Sequence, residues 1–401
     1  MVDVKWLMLL LIIIVLVGIV LEPQKRKEDN SEAVNKTEEK EYDLPINPDE
    51  QKEAENDCKI LLEKIRAIYE QADKGKSINV VLPDKTITEM MDILKETGQP
   101  LIATTLYANM ENAEKIEKFI ETTEEQKSGE VVMYDLCADG GLNREKFSYD
   151  GKNMYIFSTR STWNEQNEPI IIGSSYTKIK NWEYTDKGWF HYELCVPEYP
   201  EVSEVVLGDV LVRVKPISEK YREFSINSIL PIAYQGNNLF CSNWDVNQME
   251  ALDYNAIYES FYKMKYGKRF DGSRHPNGIP KKEFEELIMT YLPVEENQLQ
   301  KWAVYDKETQ TYAWTRLGCF NYSLNEFWES MPEVTDMSEN EDGTITVTID
   351  AVCERIGTDC YMTHKLTVKL AENGFYQYLG NEIMGDGLER MPHYIYRSTN
   401  E

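Results

Sequence analysis

Histidine is scarce, four residues in 401, and the signatures that would put a histidine or a serine to work are missing: there is no HExxH, GxSxG, GxGxxG or GxxxxGK[ST]. Zinc-protease, serine-hydrolase, dinucleotide and P-loop chemistry therefore lack their residues. The seven cysteines, at 58, 137, 195, 241, 319, 353 and 360, form no CxxC pair and no finger spacing, so a structural zinc site has no support. Neither metal nor cofactor is required by any motif, and no catalytic residue is nominated. Glycine and proline, 21 and 15 residues, are too few for a collagen-like or low-complexity chain. Cations are in short supply as well, 43 Lys and Arg against 70 Asp and Glu, for a net charge of −27. Such a surface repels a phosphate backbone, and nucleic acid is not an expected partner.

Aromatic residues, in contrast, are plentiful, with 25 Tyr and 8 Trp. A chain of this length accommodates two packed units beside some tail. The tail is evident at the start. Trp6 to Leu21 is unbroken apolar sequence between Lys5 and Glu22-Pro23. Sixteen residues at about 1.5 Å each make a helix of about 24 Å, short of a ~30 Å hydrocarbon core but extendable by snorkelling of Trp6 and the basic flank. Gly18 is the one small residue near its end, which favours an uncleaved anchor over a cleaved signal. Lys25, Arg26 and Lys27 outnumber Lys5, which by the positive-inside bias alone would keep the remainder in the cytoplasm. From Glu22 to Asp57 the residues are mainly Glu, Asp, Lys, Asn and Gln, expected as an acidic flexible tether over 22–57.

Beyond it, periodicity places helices at Cys58 to Tyr69, at a capping-box sequence Thr86-Ile87-Thr88-Glu89, and near Glu111 to Glu121. Strands follow, broken at Asp139-Gly140-Gly141, Asp150-Gly151 and Asp186-Lys187-Gly188, the turn chemistry of an antiparallel meander. The expected segments are Val131–Cys137, Lys146–Tyr149, Met154–Thr159, Ile170–Ile172, Lys178–Tyr184, Trp189–Val196 and one near 205–215. A second cycle opens with helices Tyr254–Lys265 and Lys281–Leu292, then strands at Trp302–Tyr305 and Thr311–Arg316. It closes with Ile345 to Cys353, Lys365–Leu370 and Gly374–Leu379. The fold class is α+β: an N-terminal membrane helix (1–21) and tether (22–57), then two units, 58–240 and 241–401, each of short helices packed on one face of an antiparallel meandering sheet.

Few side chains stand out as sites. Tyr254, Tyr258, Tyr262 and Tyr266 recur every four residues, either a core edge or a ladder on which a ligand could stack. Cys353 and Cys360 flank a turn and could be bridged by a disulfide. His364 could join them in a metal cluster, although a hydrogen-bonded core histidine fits the spacing better. His191, His275 and His393 are isolated. With 70 acidic residues, no carboxylate pair can be singled out by spacing.

The stretches IYESFYKMKYGKR (257–269), IPKKEFEELIMTY (279–291), AVYDKETQTYAWTRLGCFNY (303–322), DGTITVTIDAVCE (342–354) and GFYQYLGN (374–381) resemble a family of uncharacterised exported or membrane-anchored bacterial proteins, a domain of unknown function. The resemblance carries over no site residue. It implies export, and with it a folded part outside the cytoplasm on a single-pass anchor. A lipobox cysteine expected of some relatives is absent here. The expected function is a membrane-tethered extracytoplasmic binding or interaction protein, held in the membrane by residues 6–21 and meeting a protein or glycan partner. The alternative is an envelope hydrolase of glycans or peptides that works through acidic residues.

Overall fold

An asparagine followed by a proline starts the first helix. In the computed structural model, which describes residues 40–399 apart from 204, 206, 207, 319, 320 and 322–324, helix α1 runs Pro48–Gln71. The Asn47 side chain accepts the Asp49 N–H at 2.9 Å, Pro48 lies in the first turn, and Asp49 and Glu50 face the positive helix end. The tether expected over 22–57 is thereby corrected for 48–57, which are helical. The apolar stripe begins at Ala54, upstream of the Cys58 where periodicity was sought. Residues 41–44 bond along a strand edge, Lys178 N–H to Glu41 O and Leu44 N–H to Tyr176 O, both 2.8 Å. The apolar run 6–21, and with it the membrane anchor, lies outside the described residues; among those described, no helix is long and apolar enough to cross a membrane.

Helix α2 is Asp84–Leu94, and the capping box expected at Thr86 does not form. Pro83, at φ −59°, is the N-cap, three residues earlier, and the Thr86 N–H is taken by Pro83 O at 2.8 Å. Helix α3, Glu114–Glu124, buries Ile116, Phe119 and Ile120 as its stripe requires. With β1 (Leu101–Ile102) the strands β2 (Gly129–Leu136), β3 (Leu142–Tyr149), β4 (Met154–Trp163), β5 (Pro169–Tyr184), β6 (Trp189–Leu194) and β7 (Asp209–Arg213) form a seven-stranded sheet in chain order. All neighbours are antiparallel except β1 and β2. The two short strands expected at Ile170–Ile172 and Lys178–Tyr184 are one, because Gly173-Ser174-Ser175 stays extended and pairs with β4 past a bulge at Arg160/Ser161.

Helices cover both faces of this sheet, not one. Tyr134, Leu136, Leu142 and Trp163 pack against α1 and α2. Val131, Met133, Phe147 and Tyr149, of opposite parity, pack against α3. The sheet also holds α1 through charge, with Arg144, 4% exposed, on Asp57 at 3.1 Å and Lys146 on Glu50 at 2.8 Å.

The remaining elements are α4 (Glu219–Phe224), β8 (Trp244–Asp245), α5 (Tyr254–Tyr266), β9 (Ile279–Pro280), α6 (Lys281–Tyr291), α7 (Glu296–Trp302), β10 (Tyr305–Asp306), β11 (Thr311–Tyr312), β12 (Met331–Glu339), β13 (Ile345–Val352), β14 (Thr363–Leu370), β15 (Tyr376–Ile383) and α8 (Gly387–Arg390). A five-stranded antiparallel sheet has the order β12-β13-β14-β15-β8, and β10-β11-β9 is a separate small one. The strand expected at Trp302–Tyr305 is corrected: Glu295 and Gln298 make a capping box, and Trp302 closes α7. Ile257, Phe261, Phe284, Leu287 and Ile288 meet Val347, Ile349, Leu366 and Val368 in the second core, which reaches back to Phe224. Residues 40–401 pack as one unit, so the boundary expected at 240 falls inside this core.

A polar joint ties the two sheets. Glu333 on β12, 1% exposed, accepts Arg213 Nη1 at 3.1 Å and the Trp189 indole N–H at 3.2 Å. Lys187 Nζ meets Asp350 at 2.7 Å. Trp189, Leu211 and Val352 seal the contact. Burial pushes the Glu333 carboxyl up, and Arg213 pulls it back only in part. Arg213→Ala leaves that carboxylate buried without a counter-charge, so it is expected to cost about 3 kcal/mol in denaturant unfolding. Lys187→Ala, at an ammonium 36% exposed, should cost clearly less; equal losses would contradict the assignment.

Candidate functional site

Helix α5 carries polar residues on the face turned from the core, Glu259, Ser260 and Lys263, and ends at Gly267 with φ 65°. The chain then turns through Arg269, Phe270, Asp271 and Gly272 and comes back against Trp314, Arg316 and Leu317 after β11. These three segments enclose an open cleft of about 670 Å³, within the ~300–1,000 Å³ of small-molecule sites.

Trp314 is fixed on three sides. Its six-membered ring lies directly against Gly272, where an added Cβ would sit 1.9 Å from Cζ3. Phe270 meets it edge-on at 5.2 Å, and its N–H donates to Glu259 Oε2 at 3.3 Å. Glu259 is itself clamped by Arg397, Nη1 to Oε1 at 2.5 Å and Nη2 to Oε2 at 3.2 Å. The Arg397 side chain is 2% exposed and also donates to Thr315 O. The C-terminal strap is thus stapled to both walls of the cleft.

The charges do not cancel. Glu259 is neutralised by Arg397, and Asp271 accepts Ser273 N–H and Oγ while facing Arg274 at 3.3 Å, contacts that hold its carboxyl below the usual range. Lys263, Arg269 and Arg316, all exposed, make no ion pair with any described residue. Three uncommitted cations therefore face a space whose carboxylates are both engaged, on a chain of net charge −27.

Of the two readings of the tyrosine ladder, its N-terminal half fits the core edge. Tyr254 and Tyr258 are fully buried. Tyr254 donates to Met249 O at 2.9 Å, and Tyr258 donates to Glu283 at 2.9 Å while stacking on Phe284. Neither can take a ligand, because the stripe drifts into the core at its N-terminal end. Tyr258 and half-buried Tyr262 both press on Phe270, at 5.1 and 5.2 Å, and so buttress the cleft wall from behind. Tyr266, 50% exposed, lies over a separate shallow hollow beside Lys282 and Glu286.

Cys353 and Cys360 are not bridged. The tight turn Glu354–Ile356 pairs Cys353 with Thr358, its Sγ approaches Glu326 O at 3.5 Å, and Cys360 Sγ approaches Thr363 Oγ1 at 3.4 Å. Cys319 lies outside the described residues. His364 is a fully buried core histidine, Nδ1 to Asn381 Oδ1 at 2.6 Å and Nε2 to the Tyr234 hydroxyl at 3.1 Å, with burial pushing it down to about 4. His191 pairs with Asp209 at 2.9 Å, His275 stacks on Phe270, and His393 is exposed. Among the described residues no group of three His, Cys, Asp or Glu is placed to hold a metal ion.

Two carboxylates do approach each other elsewhere, on the α3-side face of the seven-stranded sheet. Burial, then the charge of Asp135, raise Glu145 to about 7, against a hydrogen bond from Tyr192 that lowers it. Neither residue lines the cleft.

Sequence reasoning missed Lys263, Arg269, Trp314, Arg316 and the Glu259–Arg397 clamp. A readable signal existed, the run Lys263-Met-Lys-Tyr-Gly-Lys-Arg269, a basic island in an acidic chain.

The fold and the cleft define an α+β protein of two joined sheets that presents a cationic, aromatic-walled groove. The chain belongs to the family of unknown function DUF6070, whose model matches residues 51–397. Neither the curated proteins nor the solved structures yield a match.

Glu145 supplies a pH test of the sheet. Its raised value means that the fold favours the neutral acid, so its stabilising contribution is complete below about pH 4.5 and is lost as pH rises through 7. Glu145→Gln, neutral throughout, is expected to raise the thermal midpoint at pH 8 and to change it far less at pH 5. An equal shift at both values would contradict the assignment.

Proposed function

We infer that the chain is a binding protein, held at the cell membrane by residues 6–21 with its folded part outside the cytoplasm, whose cleft receives an anionic ligand. The observation that carries the reading is the charge pattern: Lys263, Arg269 and Arg316 are left without counter-ions while Glu259 and Asp271 are already engaged. On a chain of net charge −27 such a patch is maintained against the overall field. The apolar run and the family resemblance support the placement. Binding is favoured over hydrolysis because both carboxylates that line the cleft are engaged by protein partners, Glu259 by Arg397 and the Trp314 indole and Asp271 by Ser273 and Arg274.

The full chain, purified in detergent, is expected to be retained on an immobilised polyanion despite its acidity and to elute with modest salt. The double variant Arg269→Glu/Arg316→Glu should flow through; passage of the wild type through the column would refute the anion reading. For the placement, protease added to intact cells should digest the C-terminal part, and full protection would reverse the orientation.

A further inference from the structure

Resting on the anion reading, we propose that the cleft binds a saccharide bearing carboxylate groups, with a sugar ring laid on Trp314 and its carboxylate held by Arg269 and Arg316. The kind of anion follows from what faces it. Phosphate sites draw on backbone N–H groups at helix N-termini, and α5 offers no such set here, since it is its later turns that reach the cleft. Two loop N–H groups are used within the turn, Ser273 N–H on Asp271 Oδ1 and Arg274 N–H on Asp271 O. The positive charges that meet the anion are on side chains, Lys263, Arg269 and Arg316. Two of the three are guanidiniums, whose planar fork matches a carboxylate in two parallel hydrogen bonds.

The aromatic wall specifies the rest. Trp314 packs against Gly272 and, at a steep angle, Phe270, lines the cleft, and has its only donor used by Glu259. What remains is a rigid apolar surface with no hydrogen-bonding demand, suited to the C–H face of a pyranose. A nucleobase could stack there too, but the phosphates it brings would find no helix N-terminus to hold them. Ser260, on the same wall, leaves a hydroxyl for the ring substituents. The cleft is open to solvent, so it can accept a unit within a longer chain.

The test is calorimetric titration of the full-length protein in detergent with a trimer of galacturonic acid, the neutral galactose trimer, a sulfated disaccharide and inorganic phosphate, with saturation-transfer NMR on the sugar protons. Expected are binding of the acidic trimer, at least tenfold weaker binding of the neutral one, transfer centred on ring C–H protons, and a roughly tenfold loss in Arg269→Gln. Trp314→Ala should abolish the ring transfer yet keep retention on the polyanion column; Trp314→Phe, which retains a stacking surface, should recover part of the affinity, and thermal melting shows whether each variant is folded. Preference for phosphate or the sulfated sugar, or acidic-trimer binding that folded Trp314→Ala leaves intact, overturns the saccharide assignment. No saccharide binding with polyanion retention intact overturns it and leaves the anion reading standing; loss of both brings down both.

Discussion

The bidentate pair between Arg397 and Glu259 is the constraint on which the cleft depends. It joins the chain's C-terminal strap to the middle of α5, and through Thr315 O it ties the strap to the segment after β11 as well. Because Arg397 is almost wholly buried, its charge needs a partner, and the partner it takes is the carboxylate that would otherwise make the cleft amphoteric. The same carboxylate accepts the Trp314 indole. Charge selection and ring orientation are therefore consequences of one contact made over 138 residues of sequence separation. Tyr394, donating to Asp253 at 2.8 Å, and Tyr396, donating to Ala251 O at 2.7 Å, carry the strap across the start of α5 and add local anchors to the long-range one.

Behind the cleft, rigidity is inherited from the core. Phe270 is wedged between Trp314 and the tyrosines of α5, and Tyr258 in turn stacks on Phe284 of α6, which stacks on Tyr312 at 4.0 Å. Tyr312 donates to Glu285 at 2.7 Å, so the series of rings ends on a buried carboxylate. Aromatic stacking of this kind supplies area with few rotatable bonds. The joint at Glu333 and Asp350 then couples this second core to the seven-stranded sheet, so that α1 and the cleft belong to one unit.

Much of this was legible in the amino-acid order. The turns at Asp139-Gly140-Gly141, Asp150-Gly151 and Asp186-Lys187-Gly188 and the alternation at Ile345 to Cys353 are local signals, and reversals and a strand formed there, although β3 begins earlier than expected and β5 joins two expected strands. The errors have local causes too. At Asn47-Pro48 a helix start was overlooked because the residues after it are charged, and only Ala54 and Cys58 reveal that one side is buried. At Thr86 a capping signature lost to the proline before it. The helix-bearing second face of the first sheet was missed although the strand β2 is apolar at both parities, Val131 and Met133 on one side and Tyr134 and Leu136 on the other. The cleft was illegible for another reason: α5, the loop to Ser273, the Trp314 segment and Arg397 come together only through tertiary packing, and none carries a motif by itself.

Tyr254, Tyr258, Tyr262 and Tyr266 show how residues can shape a cleft without lining it. A ladder at four-residue spacing rotates by about 40° per step, so on a helix packed by one face it cannot stay exposed along its length. Its N-terminal members enter the core and its C-terminal ones emerge, and this is the order of burial observed, from Tyr254 at 0% to Tyr266 at 50%. The ring that reaches the cleft is therefore supplied by the next segment, Phe270, resting on the ladder. On the saccharide proposal, a surface so supported needs no rearrangement to receive a sugar ring, which favours a preformed groove over closure.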